Sequence, residues 1–351
     1  MKPIAILTSG GDAPGMNTAI RSVVKLCARE GISVLGVKHG YEGLMQGRFT
    51  ELTPLEVDAI GGVGGTLLGS ARSVAFTTPE GRARAGAKLA GTEGLIVIGG
   101  NGSLTGALKL AQETGTQVIG IPASIDNDIG CTATAIGVDT ALNTIVDACD
   151  RISDTARAHR RAFIVEVMGR QCGYLAMASS VGASADACLY RESGKDEDSL
   201  VAELRELMLR SFAPERGKQR VLVIKAEGVT VPTSRLVSRL QEHVDRDLPG
   251  VEVRGTVLGH LVRGGSPSYQ DRMVAGRLAV AAVQALLSGH SPEMVAWQPW
   301  NPGGTPTRDA SVHRFSLEQV IEETTALLDG TSPVTQRRVK LMQSYAGVLA
   351  I

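Results

Sequence analysis

The chain has 351 residues, enough to bury a large core and to divide into two domains. Its 36 Lys and Arg residues balance 36 Asp and Glu residues, so no net charge attracts it to nucleic acid or to an anionic membrane. Aromatic residues make up only 3%, which disfavours binding of nucleic acid by base stacking, whereas 42 glycines are typical of a turn-rich α/β enzyme.

The cysteines and the apolar segments indicate where the protein resides. The five cysteines form no CxxC pair and have no ligand-like spacing with histidine, which indicates reduced thiols. The first apolar run is too short for a signal peptide, and no apolar stretch approaches membrane-spanning length. We therefore expect a cytoplasmic protein with neither nucleic acid nor membrane as a partner.

The N-terminal third contains two glycine-rich segments. Ile4 to Leu7 is predicted as the first strand, and the glycine-rich segment 8–17 leads from it into a helix with one apolar face. A strand at 34–37 precedes a turn-rich segment at 40–43. Residues 61–72 hold five glycines and end in Arg72, without the pattern of a Walker-type phosphate loop.

The central stretch, Gly94 to Gly130, is predicted to be a strand, a glycine-rich turn, a helix and a second strand. Leu95–Ile98 leads into Gly99–Ser103, and Val118–Pro122 leads to Asp126, Asn127 and Asp128. Glycines let backbone N–H groups approach a phosphate, and a helix N-terminus adds a partial positive charge. Ligands of open α/β sheets bind at the carboxyl ends of strands, so a phosphate cradle beside two carboxylates suggests phosphoryl transfer.

Both features also have purely structural explanations. A tight turn needs glycine whatever it binds, and the acidic segment could cap a helix or form an Asx turn. A lone arginine such as Arg72 is commonly a solvated surface charge.

Strands and helices continue to alternate towards the C-terminus, which predicts a layered α/β architecture with mainly parallel sheets. Further turns after strands display Arg170 and Arg263. Residues 299–307 form a predicted linker, and the segment after Ser332 is either a terminal helix or a mobile end.

With these motifs in place, the sequence resembles the bacterial, ATP-dependent 6-phosphofructokinase family from Ile4 to about Asp271. The resemblance rests on seven motifs in order: TSGGDAPGMN (8–17), GGT-LGSAR (64–72), GGNGS (99–103), IDNDI (125–129), EVMGR-CGYLA (166–176), AEG (226–228) and TVLGH-RGGSP (256–267).

The resemblance implies the phosphofructokinase fold, with two Rossmann-like α/β domains in each subunit. It places the nucleotide-binding domain at 1–137 plus about 257–305, and the sugar-phosphate-binding domain at about 138–256 plus 306–351. It also implies a homotetramer with shared active sites. The reaction would convert fructose 6-phosphate and ATP, with Mg²⁺, to fructose 1,6-bisphosphate in glycolysis.

The resemblance also assigns residues, carried over motif by motif. Asp126 would be the base for the sugar 1-hydroxyl, with Arg170 and Ser124 also catalytic. ATP would contact Gly11, Arg72, Ser73, Gly100, Asn101, Gly102 and Ser103. The sugar phosphate would contact Ser124, Ile125, Asp126, Met168, Gly169, Arg170, Glu227, His260 and Arg263, together with Arg161 and Arg254 from a neighbouring subunit. Several arginines would thus meet at one site. A chain without net charge needs such a local cluster, because phosphoryl transfer depends mainly on positioning and on cationic neutralisation.

Three positions depart from the family pattern. Asn101 stands where an aspartate usually helps to organise magnesium; an amide keeps an oxygen but loses the charge that a hard cation prefers. Asn101 and Asp128 are the candidate magnesium ligands. Ser124 replaces a threonine and keeps the hydroxyl. In the family's basic effector pocket Arg21 is retained and Lys25 replaces an arginine, while Ser153 and the segment 53–54 stand where further arginines are usual.

Two small residues indicate which phosphoryl donor the protein uses. Pyrophosphate-using relatives usually carry Asp and Lys where this chain has Gly102 and Ala123. Small residues leave room for the α-phosphate of a nucleotide, which favours ATP. Two alternatives stay open: a pyrophosphate-dependent phosphofructokinase, and a catalytically weak paralogue that binds sugar phosphate for regulation.

Overall fold

The computed structural model describes residues 1–300, 303–345 and 348. The chain divides into two compact units. Unit 1 comprises Met1–Thr140 and Arg263–Leu327, and unit 2 comprises Ala141–Val262 and Leu328–Ile351. Both units are therefore discontinuous in sequence.

Unit 1 is built on an eight-stranded sheet with the order β11-β12-β10-β5-β4-β1-β2-β3. The five central strands from β10 to β2 run parallel, whereas β3 at one edge and β12 and β11 at the other pair antiparallel. The strands are β1 (Ile4–Ser9), β2 (Val34–Val37), β3 (Phe49–Leu52), β4 (Gly94–Gly99), β5 (Val118–Pro122), β10 (Glu293–Trp297), β11 (Thr305–Pro306) and β12 (Val312–Ser316).

Helices follow the strands of unit 1 and cover the sheet. They are α1 (Met16–Arg29), α2 (Gly40–Gln46), α3 (Pro79–Leu89), α4 (Asn101–Thr114), α9 (Tyr269–Leu287) and α10 (Leu317–Asp329), whose last two residues fall in unit 2. The central strands Ile4–Leu7 and Leu95–Ile98 are wholly buried, as expected for a parallel sheet covered on both faces. The apolar face predicted for α1 is buried as well, at Ile20, Val23, Val24 and Cys27.

Unit 2 has a four-stranded, all-parallel sheet with the order β7-β8-β6-β9. Its strands are β6 (Arg161–Val167), β7 (Ala187–Leu189), β8 (Arg220–Ala226) and β9 (Glu252–Val257). Its helices are α5 (Val138–His159), α6 (Tyr174–Gly182), α7 (Glu197–Ser211), α8 (Thr233–Asp247) and α11 (Pro333–Tyr345). The boundary between the two units falls within the first turn of α5.

The structure differs from the sequence-based expectations at three places. Residues 40–43 open the helix α2 instead of forming a turn, because Gly40 at φ 56 and Gly47 at φ 69 bracket a short helix with a buried face. The predicted linker 299–307 contains the short strand β11. Residues 301 and 302 of this linker lie outside the described residues. Residues 306–327 belong to unit 1, whereas the sequence assigned them to the second domain, because β12 pairs with β10 at the edge of the large sheet.

Residues 333–345 of the segment after Ser332 form the helix α11, which is one of the two alternatives left open by the sequence. All five cysteines are free, and burial raises the pKa of Cys131 and of Cys188 to about 12. None of the helices in the described part of the chain combines the length and the apolar character that crossing a bilayer requires.

Candidate functional site

Two glycine-rich turns lie side by side at the carboxyl ends of β1 and β4, because Ser9 pairs with Gly99 at the ends of these parallel strands. A Cβ at Gly99 would lie 2.5 Å from the Ser9 carbonyl oxygen. One at Gly10, whose φ is +86°, would lie 3.2 Å from Ser103 Oγ. The close backbone oxygen at Gly99 and the left-handed φ of Gly10 therefore explain these two glycines without any ligand.

Gly102 has a different environment from these packed glycines. It is exposed in the first turn of α4, and a Cβ there would meet no atom within 4 Å. Packing within the chain therefore does not explain this glycine. The helix begins at Asn101, so Gly102 belongs to the part of α4 whose N–H groups lack intrahelical partners.

Aromatic side chains support the second turn from behind. The Tyr41 hydroxyl donates to the Ser103 carbonyl oxygen at 2.6 Å, and its ring stacks on Phe76 with the centroids 3.8 Å apart. Burial raises the pKa of Tyr41, which keeps the hydroxyl a donor. No sequence motif pointed to this pair, since the two residues lie outside the glycine motifs.

Asn17 fixes the loop that leads to Arg72. Its amide donates to the carbonyl oxygens of Val63 and Gly64 at 3.0 and 3.2 Å, and its oxygen accepts from Leu67 N at 2.7 Å. Asn17 is 3% exposed, so its side chain supports this loop from inside the protein. Arg72 itself is exposed. Asn17 was missed as a positioning residue although it closes the first motif.

Ser73, expected to contact ATP, donates its hydroxyl to Glu42 Oε2 at 2.5 Å and accepts from Phe76 N at 3.3 Å. These contacts give it a structural role at the end of the Arg72 loop. The Ser73 and Gln46 hydrogen bonds lower the pKa of Glu42, with that from Ser73 the larger. A contact between Ser73 and ATP stays a prediction.

The acidic segment follows β5, the neighbour of β4, so three strand ends meet at one edge of the sheet. Asp126 is buried, with 2% exposed, and its backbone N–H donates to Ser124 Oγ at 3.3 Å. That hydroxyl donates in turn to Asp128 Oδ1 at 3.0 Å. Asn127, at φ 49, bonds instead to the backbone of residues 133 and 135. Asn127 therefore stabilises the loop that follows the acidic segment. Ile125 is wholly buried.

Arg263 packs directly on the first glycine turn. Its Nη1 donates to the Asp12 carbonyl oxygen at 3.2 Å, and a Cβ at Gly11 would lie 2.6 Å from the same nitrogen. The resemblance assigns Gly11 to ATP and Arg263 to the sugar phosphate. The structure brings these two residues together, so this guanidinium lies beside the turn expected to hold the donor.

In unit 2, the turn after β6 carries Arg170 in a left-handed conformation, with φ 50. Glu227 Oε1 accepts from the Arg170 backbone N–H at 2.5 Å, and a Cβ at Gly228 would lie 2.5 Å from the Arg170 carbonyl oxygen. The AEG and EVMGR motifs thus pack against each other at the carboxyl ends of β8 and β6. Arg170 and His260 are exposed, Met168 is half-buried and Gly169 is buried.

Arg161 and Arg254 come together on one carboxylate of unit 2. Glu252 Oε2 accepts from Arg161 Nε at 2.7 Å and from Arg254 Nη2 at 2.9 Å. Hydrogen bonds from Arg161, and then from Arg254, hold the pKa of the Glu252 carboxyl below its ordinary value. Sequence reasoning selected both arginines and missed the carboxylate, although it lies two residues before Arg254.

The predicted site residues fall in both units. Unit 1 holds Gly11, Arg72, Ser73, Gly100, Asn101, Gly102, Ser103, Ser124, Ile125, Asp126, Asp128 and Arg263; unit 2 holds Arg161, Met168, Gly169, Arg170, Glu227, Arg254 and His260.

The candidate magnesium ligands are few. No group of three or more His, Cys, Asp or Glu side chains suited to a metal ion occurs among the described residues. Asn101 Oδ1 lies 3.4 Å from Thr105 Oγ1, and Asp128 accepts from Ser124. Mg²⁺ is commonly bound through one or two carboxylates, water and substrate phosphates. This sparse donor set therefore fits a metal that arrives with a nucleotide.

The expected effector region contains one compact ion cluster. Asp58 accepts from Lys25 and lies 3.4 Å from Arg21 Nη2, and the hydrogen bond from Lys25 is the main cause of its lowered pKa. Arg21 and Lys25, both on α1, are therefore already partnered by one carboxylate.

Comparison with known proteins gives consistent matches along the chain. Residues 3–286 match the model of the phosphofructokinase family. An ATP-dependent 6-phosphofructokinase of Thermotoga petrophila is 44% identical over 330 residues, covering 93% of this chain and 100% of that protein. ATP-dependent 6-phosphofructokinase 1 of Thermus thermophilus is 44% identical over 327 residues, covering 92% and 97%.

Solved structures give the same architecture. A phosphofructokinase from Saccharomyces cerevisiae superimposes with a TM-score of 0.85 at 31% identity, over 99% of this chain and 50% of that chain. A pyrophosphate-dependent phosphofructokinase from Marinobacter aquaeolei has a TM-score of 0.74 at 20% identity, over 91% and 83%. The second likeness shows the shared fold alone.

Proposed function

This chain belongs to the phosphofructokinase family, and we propose that it transfers the γ-phosphoryl group of ATP to the 1-hydroxyl of fructose 6-phosphate. The observation that carries the proposal is the meeting of two glycine turns and an acidic segment at the ends of β1, β4 and β5. ATP as donor is supported by the names of the relatives at 44% identity over nearly the whole chain.

The donor's phosphates would bind at the second glycine turn. The first turn of α4 offers backbone N–H groups and the positive end of the helix dipole, with Gly102 exposed and open space above it. Gly100, Asn101 and Ser103 belong to the same turn, and Arg72 supplies an exposed cation. Gly11 would contact ATP at the first glycine turn, where its missing side chain leaves room for the Arg263 guanidinium.

Asp126 would act as the general base. Its carboxylate accepts the proton of the 1-hydroxyl, the sugar oxygen forms a bond to the γ-phosphorus, and the bond to the β-phosphate oxygen breaks with ADP leaving. Ser124 holds the backbone of Asp126 and bonds to Asp128, so it orients this strand end. General-base catalysis of this kind contributes about 10²–10⁴ in rate.

The sugar phosphate needs several cations, because it is a dianion at neutral pH. We assign Arg170, His260 and Arg263 to it, with Met168, Gly169, Ile125 and Glu227 shaping the sugar site. Glu227 also fixes the Arg170 backbone. Arg161 and Arg254 would act in a neighbouring subunit of a homotetramer.

Magnesium would be held by Asn101 and Asp128 together with the ATP phosphates, and would neutralise charge on the transferring group. The chain's own contribution is to present the amide and carboxylate oxygens from the α4 and β5 ends.

A coupled assay tests the proposal. Purified protein, fructose 6-phosphate and Mg²⁺ are supplied with ATP or pyrophosphate in parallel. We expect turnover with ATP and little with pyrophosphate, since Gly102 and Ala123 leave room for a nucleotide. Turnover with pyrophosphate alone would reverse the donor assignment. Binding of fructose 6-phosphate without turnover on either donor would favour a regulatory protein.

A further inference from the structure

One carboxylate, Glu252, contacts both Arg161 and Arg254 of unit 2. These are the two arginines that are expected to reach the sugar phosphate bound by a neighbouring subunit. Beside Glu252 lies a cavity of about 780 Å³ along β9 and α8, whose lining includes Arg161, Glu242, Glu252 and Arg254. Two guanidinium groups and several carboxylates thus share one surface.

The β-sheet register sets this arrangement. Arg161 opens β6 and pairs directly with Glu252 on the edge strand β9, and Arg254 follows two residues later on the same side of that strand. The single oxygen Oε2 accepts from both arginines, at 2.7 and 2.9 Å. The side chains are 24% exposed for Arg161, 54% for Arg254 and 44% for Glu252, so all three reach solvent.

The arginine N–H groups that donate to Glu252 determine which other N–H groups remain to bind a ligand. Arg161 is held through Nε, which leaves the two Nη groups of its planar fork for a bidentate contact with phosphate. Arg254 is held through one Nη, which leaves its other donors. Two cations and one carboxylate leave one net positive charge, and the carboxylate offsets the repulsion between the guanidinium groups.

We propose that Glu252 is a positioning residue, which holds Arg161 and Arg254 together so that they meet one phosphate group as a pair. The proposal rests on the proposed function, in which these arginines bind the phosphate of the sugar substrate. Without the carboxylate, two long side chains with like charges would have to be ordered by the ligand itself, and that entropy cost would weaken binding.

Glu242 provides a matched control. It lines the same cavity and is exposed, but among the described residues neither arginine forms an ion pair with it. Glu252→Ala and Glu242→Ala therefore remove the same charge from the same surface, and only the first removes the shared contact. Glu252→Gln keeps an oxygen acceptor without the charge.

The experiment measures kcat, the KM values for fructose 6-phosphate and ATP, and the Kd for fructose 6-phosphate by calorimetry. We expect Glu252→Ala to raise KM and Kd for fructose 6-phosphate about three- to tenfold, the range that exposed ion pairs support. The KM for ATP and kcat should stay within about twofold, Glu252→Gln should fall between wild type and Glu252→Ala, and Glu242→Ala should match wild type. Sedimentation and a melting curve check the assembly and fold of each variant.

Equal KM and Kd for fructose 6-phosphate in Glu252→Ala and Glu242→Ala would overturn the proposal. So would a parallel change in kcat and in both KM values, because it would indicate a merely structural role. Wild-type protein without turnover would refute the proposed reaction, while the calorimetric comparison would still decide the role of Glu252; wild-type protein that does not bind fructose 6-phosphate would overturn both.

Discussion

Gly102→Ala tests whether position 102 requires glycine because a ligand approaches the backbone there or because side-chain packing demands it. The added Cβ meets no atom within 4 Å, and the residue lies in the first turn of α4. Alanine in a helix is favoured over glycine by up to about 0.5–1 kcal/mol, so the fold should be unchanged or slightly more stable. Gly99→Ala is the contrasting variant, since its Cβ would lie 2.5 Å from a backbone oxygen and overpacking costs about 1–3 kcal/mol.

Activity should respond to Gly102→Ala in the opposite direction to stability. If a phosphate of ATP lies against this turn, the methyl group would displace it from at least one backbone N–H. A hydrogen bond to a charged group is worth about 1.5–3 kcal/mol, so the KM for ATP should rise about ten- to hundredfold. The KM for fructose 6-phosphate should change little.

Thermal melting and steady-state kinetics of wild type, Gly102→Ala and Gly99→Ala check both expectations. A Gly102→Ala protein with wild-type melting temperature and an unchanged KM for ATP would refute the placement of ATP over this turn. A lowered melting temperature for Gly102→Ala would show that the glycine serves packing, contrary to the open space above it.

Four further outcomes follow from the site. Asp126→Asn should keep the fold and fructose 6-phosphate binding while lowering kcat about 10²–10⁴-fold, and a kcat near wild type would remove Asp126 from the mechanism. Asn101→Asp should lower the Mg²⁺ concentration needed for half-maximal rate; unchanged metal dependence would make Asn101 a turn residue only. Hybrids of Arg161→Ala and Asp126→Asn subunits should regain activity, and verified hybrids without it would argue against shared sites. ADP and phosphoenolpyruvate should shift half-saturation by fructose 6-phosphate only weakly, because Asp58 already partners Arg21 and Lys25; a large shift at micromolar effector would contradict this.

The sequence predicted the buried parallel strands well, because apolar runs such as Leu95–Ile98 are too short and too uniform for exposed elements. It failed at α2, where glycines at 40 and 43 suggested a turn although they lie inside a short helix. It also misplaced residues 306–327, since their position depends on the pairing of β12 with β10 and not on local pattern.

Within the site, motifs located the glycine turns, Asp126 and the arginines, but not the residues that support them. Asn17 acts on residues 46–50 positions away, and Tyr41 reaches Ser103 across 62 positions. Glu252 lies near Arg254 in sequence, yet its bond to Arg161 spans 91 positions and exists only because β6 and β9 are neighbours. Such long-range partners follow from strand order, which a single sequence does not specify.

The most direct measurement of the central claim follows the phosphoryl group itself. Wild-type protein is incubated with fructose 6-phosphate, Mg²⁺ and ATP labelled in the γ-phosphate, and the product is analysed by phosphorus NMR and radiochemical counting. We expect the label in fructose 1,6-bisphosphate at the 1-position, in equal amount to the ADP formed. Release of label only as inorganic phosphate, or no loss of ATP when sugar phosphate is present, would contradict the proposed transfer.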